Sequence, residues 1–154
     1  MTDVQVVETI KEYLAGHKQF ALATNGDHPW IATMFYGSDA ELHIYFLTDP
    51  ETIHAKGLNQ NPLVSAVIAD SPQDPGSKKK GIQLYGHASE IVDEQEMSKA
   101  FDVWCRVLKV TDSKYSVDGV KSGKLKYRIY KLVPKKIKYY NEELWDDNEK
   151  TIDL

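Results

Sequence analysis

The feature that most restricts how this chain can fold is a series of short apolar runs, rich in β-branched and aromatic residues, each cut off by a tight polar turn. Residues 17–24 and 30–36 flank Asn25-Gly26-Asp27-His28-Pro29, and Asn-Gly tolerates the positive φ that a hairpin turn demands. After Gly37-Ser38-Asp39-Ala40, residues 42–47 read as the third strand of a meander. Residues 63–69 and 81–92 are two further runs. The second contains Gly86, where a bulge or a close backbone approach is expected. Residues 125–133 and 135–140 follow as a bent pair, or one strand broken at Pro134. Six or seven strands this short and this closely linked favour a mainly β chain, closed into a small antiparallel barrel so that no edge is left exposed.

Three helices interrupt the pattern. Val6, Ile10, Tyr13 and Leu14 recur at helical spacing, with Thr2 or Asp3 as a start signal and Gly16 as a stop. Asp49-Pro50 predicts a second helix, with Asp49 as N-cap and Pro50 at the first helical position, ending within residues 57–61 before Pro62. Asp93 and Glu96 form a capping-box pattern ahead of one apolar stripe, Met97, Ala100, Phe101, Trp104, Cys105 and Leu108. Residues 70–80 and 111–123 are polar connections. The tail after Asn141 is acidic and is expected to fray beyond Trp145, so the domain is set at residues 1–145 with a flexible tail over 146–154.

A chain of 154 residues suffices for one sizeable core. With 42% hydrophobic and 27% charged residues, its composition excludes disordered, collagenous and disulfide-scaffold classes. Net charge is −4, so nucleic acid is not an expected partner. The lone Cys105 suits a reducing, cytoplasmic compartment, and neither a signal peptide nor an 18-residue apolar span is read. No P-loop, Gly-x-Ser-x-Gly elbow or Gly-x-Gly-x-x-Gly fingerprint occurs. The five histidines include no i, i+4 pair, and no metal site is signalled.

The order of motifs carries more than any one of them. Phe20-Ala-Leu-Ala-Thr24, a turn with Pro29, Ile44-Tyr-Phe-Leu-Thr48, Thr52-Ile53-His54-Ala55-Lys56, Asn61-Pro62-Leu-Val-Ser65 and Gly81-Ile-Gln-Leu-Tyr-Gly86 succeed one another at family spacing. This succession resembles the FMN-binding split-barrel family related to pyridoxamine 5'-phosphate oxidase, and in particular a branch of small bacterial proteins with Thr-x-His-Ala in place of Ser-Arg-Lys-Ala. The resemblance implies a split β-barrel of Greek-key-like type and a homodimer with FMN at its interface. It implies ring contacts from the strand Ala32, Thr33, Met34 and Phe35, and a phosphate near Leu47, Thr48, Thr52, Ile53, His54 and Lys56. Lys80 and Gln83 are expected near the cofactor, Gln83 displaced by two residues from a family glutamine but on the same face. The implied activity is oxidation or reduction of a small substrate through the flavin N5, with no side chain required as acid or base.

Local chemistry supports part of this. A helix start leaves N–H groups unpaired, and the hydroxyls of Thr48 and Thr52, with Lys56 and His54, make an anion cradle. Asp49 and Glu51 crowd the same helix start, and a mostly neutral His54 supplies less charge than the family's lysine. That leaves open a carrier or sensor that binds a flavin, a deazaflavin or haem without catalysis. The chain has no arginine after Arg128, so pyridoxamine 5'-phosphate itself is not the expected substrate. The lysine-rich stretch 121–138 alternates at Lys124, Lys126 and Arg128 as a solvated strand face does.

Overall fold

The computed structural model describes residues 2–70, 72–146 and 149–154. Elements in chain order are α1 (Asp3–Ala15), β1 (Gln19–Asn25), β2 (Pro29–Ser38), β3 (Ile44–Thr48), α2 (Ile53–Gln60), β4 (Leu63–Ala69), β5 (Lys80–Glu90), α3 (Glu94–Leu108), α4 (Val117–Ser122), β6 (Arg128–Asn141) and β7 (Glu149–Asp153). The strands pair antiparallel in the order β3-β2-β1-β4-β5-β6-β7, and β3 also pairs with β6, which closes six strands into a barrel with β7 added outside. The fold is therefore mainly β, a split barrel with inserted helices.

Alternation along the strands fills the barrel. Phe20, Leu22, Tyr36, Phe46, Ile82 and Leu132 point inward and are at most 2% exposed. The capping box of Thr2 and Gln5 starts α1, which closes one end with Ile10 and Leu14, and the Tyr36 hydroxyl donates to the Leu14 carbonyl at 2.6 Å. A second apolar cluster lies outside the barrel, where Met97, Phe101 and Trp104 of α3 pack with Tyr45, Leu125 and Ile129. Helix α3 can approach β2 because residue 37 is glycine. A Cβ there would stand 3.2 Å from the Trp104 Cα and 3.3 Å from the Val103 carbonyl oxygen.

Gly86 sits at the expected bulge, since the β5–β6 register shifts between Tyr85 and Gly86, and a Cβ at 86 would collide with the Val133 carbonyl. Three expectations change. The N-cap of α2 is Thr52, not Asp49. Its hydroxyl accepts from the Ala55 N–H, while Asp49 and Pro50 form a preceding turn closed by Thr52 N–H to the Asp49 carbonyl. The polar stretch 111–123 contains α4, capped by Ser116, whereas residues 128–141 form the single strand that was one of the two readings, with its register to β5 slipping beside Pro134.

The third change concerns the acidic tail. Rather than fraying throughout, it supplies β7 on β6, where the lysines of β6 meet its acids: Lys136 with Asp153 at 3.3 Å and Lys138 with Glu149 at 2.9 Å. Asp147 and Asn148, part of the same expectation, lie outside the described residues. No helix among the described residues is long and apolar enough to cross a membrane.

Candidate functional site

The split in the barrel comes from unequal strand pairing. β2 pairs with β1 from Pro29 to Phe35, but with β3 only through Tyr36, Gly37 and Ser38. On the β3 side of residues 29–35 the ladder is therefore absent, and alternate residues there present backbone N–H and C=O groups without a strand partner among the described residues. Trp104 of α3, Tyr115 of the connection that follows it and the chain leading into β6 border this edge around a cavity of about 560 Å³. That volume lies within the ~300–1,000 Å³ range of small-molecule sites.

One wall is Thr33, Met34 and Phe35 of β2. Leu47, Thr48 and Asp49 with Thr52 and His54 line it next, and Trp104, Tyr115, Lys126 and Tyr127 complete the lining. Trp104 and Tyr115 stack with ring centroids 5.4 Å apart and planes at 27°. Trp104 is 7% exposed, and its indole N–H is buried without a hydrogen-bond acceptor among the described residues. A buried donor left unpaired costs free energy.

The polar corner is built by the β3–α2 connection. His54 Nε2 lies 2.6 Å from the Thr48 hydroxyl and 3.2 Å from the Thr52 hydroxyl, which itself donates to the Asp49 carbonyl at 2.8 Å. Burial pushes the His54 imidazole below its ordinary value, so near neutral pH it is an uncharged hydrogen-bonding group. Asp49 accepts from the Glu51 N–H at 2.9 Å and from the Lys126 ammonium at 3.0 Å. The Glu51 N–H first and Lys126 second hold its carboxyl below the usual carboxylate range. Lys126 is raised in turn, chiefly by its hydrogen bond to Asp49.

The cavity thus brings together seven of the residues singled out from sequence: Thr33, Met34, Phe35, Leu47, Thr48, Thr52 and His54. The other five do not line it. Ile53 and Lys56 lie beside a smaller cavity of about 160 Å³ against the β1–β2 turn, with Lys56 paired to Glu51 at 3.1 Å. Lys80 pairs with Glu143 at 2.6 Å, and Gln83 is exposed on β5, paired in the sheet with Val67 and Lys138. Ala32 is a half-buried residue of β2.

Sequence reasoning missed Trp104, Tyr115, Lys126 and Tyr127. Trp104 was visible only as part of an apolar stripe. Lys126 was visible only as part of an alternation that belongs to the approach to β6, since the strand starts at Arg128. A second polar cavity, about 410 Å³ between α3 and α4, is lined by Asp102, Asp112, Asp118 and Cys105, whose thiol is pushed up by burial. Among the described residues no group of three or more His, Cys, Asp or Glu side chains is placed to hold a metal ion.

Comparison with known proteins supports this fold. The family described as pyridoxamine 5'-phosphate oxidase matches residues 6–141. The UPF0306 protein YE0465 of Yersinia enterocolitica is 34% identical over 76 residues, 49% of this chain and 51% of that protein, so the match spans about half of the relative's length. Among solved structures, general stress protein 26 of Bacillus anthracis superposes with a TM-score of 0.66 at 20% identity, over 97% of this chain and 99% of that one. A haem-binding protein of Mycobacterium smegmatis superposes with a TM-score of 0.72 at 15% identity, over 96% of this chain and 57% of that one. At such identities the two structures speak for the fold alone, whereas the family match covers most of the sequence: the chain belongs to the pyridoxamine 5'-phosphate oxidase family.

Proposed function

We propose that the chain is an FMN-binding oxidoreductase that acts on a small substrate as a cytoplasmic homodimer, with the domain through Trp145 as its flavin-binding unit. The observation that carries this reading is the cavity itself. A flat strand edge with unpaired backbone groups faces an aromatic wall, and a corner of hydroxyls and helix N–H groups lies at one end. A ring system with polar edges fits the strand side, and a phosphate fits the corner.

When bound, FMN supplies the redox chemistry. The chain's own part is to bind and orient. The backbone of Thr33–Phe35 meets the ring edge, Phe35 lies beside it, and the stacked Trp104 and Tyr115 give the cavity its aromatic side. His54, engaged by Thr48 and Thr52, holds the corner and transfers no proton.

A second copy completes the unit. On the outer face of the sheet the registers set Ile31, Ala23, Ser65 and Tyr85 in one row, and Thr33, Ala21, Val67 and Gln83 in the next. Ile31 is 63% exposed and Phe35 55%, while small residues between them let another surface approach closely. This face is continuous with the cavity through Thr33 and Phe35. Gln83 therefore reaches a cofactor only across the interface.

Absorption of the purified protein after incubation with FMN and desalting tests the reading. Retained flavin bands that bleach on adding NADH or NADPH under nitrogen are the expected result, and loss of all flavin on desalting would overturn it. One observation favours haem as a second reading: the half-buried imidazole of His54 is kept neutral, the form that ligates metals, and a haem-binding protein shares the fold. A Soret band after incubation with haemin, absent from His54→Ala, would select it.

A further inference from the structure

The corner that fits a phosphate has little positive charge of its own. Its side chains are two hydroxyls and a neutral imidazole, and Lys56, the nearest cation on α2, points to the other side and pairs with Glu51. The lysine among the residues that line the cavity is Lys126, and in the free chain its ammonium lies 3.0 Å from Asp49.

We infer that Lys126 is the cation that takes the phosphomonoester of the bound flavin, exchanging Asp49 for the ligand, and that Asp49 holds the ammonium at the cavity mouth until then. This rests on the flavin reading above. Three features support it. Lys126 is 80% exposed and lies on the extended approach to β6, so its side chain is free to swing, whereas Asp49 is only 20% exposed and fixed by the Glu51 N–H.

The backbone beneath Lys126 is held in place. Arg128 Nη1 donates to the Lys126 and Tyr127 carbonyls at 3.3 and 3.2 Å, so the ammonium swings from a fixed base, and Arg128 itself faces Glu90. Charge gives the exchange its direction. The Asp49–Lys126 pair is neutral, and a phosphate dianion brought to the corner repels Asp49 and attracts Lys126. The aspartate thus limits affinity while the lysine supplies it.

The two residues therefore act with opposite sign on one ligand group. Fluorescence titration of FMN and of riboflavin, which lacks the phosphate, into wild type, Lys126→Gln and Asp49→Asn tests this at low and high salt. Lys126→Gln is expected to weaken FMN about tenfold, the loss of one charge-assisted hydrogen bond, and to flatten its salt dependence. Asp49→Asn, which keeps the acceptor for the Glu51 N–H, is expected to tighten FMN about threefold. Riboflavin should change with neither.

Circular dichroism checks that both variants fold. If wild type binds FMN while the variants leave the ratio of FMN to riboflavin affinity unchanged, or if Asp49→Asn weakens FMN, the exchange is wrong and the flavin reading survives. If wild type binds neither flavin, both fall together.

Discussion

Aromatic side chains occupy both the inside of the barrel and the space between the barrel and α3, with opposite outcomes. Inside, Phe46 stacks on Tyr130 with centroids 5.4 Å apart and meets Phe20 edge-on at 5.3 Å, and all three rings are at most 2% exposed. Outside, Trp104 and Tyr115 stack just as closely, yet border a cavity of about 560 Å³. The difference lies in what encloses each cluster. A closed ladder brings side chains from opposite strands to one centre, so every ring finds partners on all sides. A helix laid across the outer face packs on only part of the sheet, here over Gly37, Tyr45 and Ile129, and leaves a cavity beside Trp104. One part of the molecule is built to be full, the other to be filled.

The sharpest way to break that contrast is to empty the full region. Phe46→Ala removes a ring with neighbours on every side, and the expected loss is about 3–5 kcal/mol in urea unfolding, a large share of the ~5–15 kcal/mol of an ordinary domain. A loss below about 1 kcal/mol would mean that the barrel interior relaxes as readily as the cavity wall.

The line of contact between the two regions comes next. In Gly37→Ala the new Cβ meets the backbone of α3 rather than the end of a flexible side chain, so the helix must shift by a few tenths of an ångström. About 1–3 kcal/mol of stability should be lost, as in other overpacked contacts. Flavin affinity should fall with it, because Trp104 moves with the helix. Lost stability with unchanged affinity would show that α3 sets the packing but not the cavity.

The same contrast explains which parts of the molecule could be read from sequence. Barrel strands announce themselves, because short apolar runs bounded by polar turns are local signals, as over 19–25 and 80–90, although Gly26 is needed not for a positive φ but for its close approach to Gly57. The α3 stripe was equally plain, but a stripe says which face is buried and not against what, so Trp104 gave no sign that it borders a cavity.

At the corner, Asp49 and Thr52 are both good N-cap types three residues apart. Pro50 pointed to the first, whereas in the fold it belongs to a turn that delivers Thr52 to the cap. Strand β7 was hidden because its acids look like a solvated tail until the lysines of β6 are set beside them. Lys126 was lost to a false register, an alternation that begins at Lys124, four residues before the strand does.

The smallest expected effect bears on the empty region and concerns pH. Burial lowers the His54 value in the folded chain, so the unfolded chain takes up the proton more readily. By linkage, the stability from keeping the imidazole neutral is fully present above its unfolded value, about 6.5, and is lost as pH falls through the lower folded value. His54→Gln keeps a hydrogen-bonding group beside Thr48 but does not titrate. Wild type should therefore lose more of its melting temperature than the variant between about pH 7 and pH 5. Equal slopes would place the acid sensitivity elsewhere. A phosphate at the corner would reverse the argument, because an anion beside the ring favours the imidazolium. With FMN present the excess slope of wild type should shrink, and a slope indifferent to FMN would mean that the flavin phosphate does not reach His54.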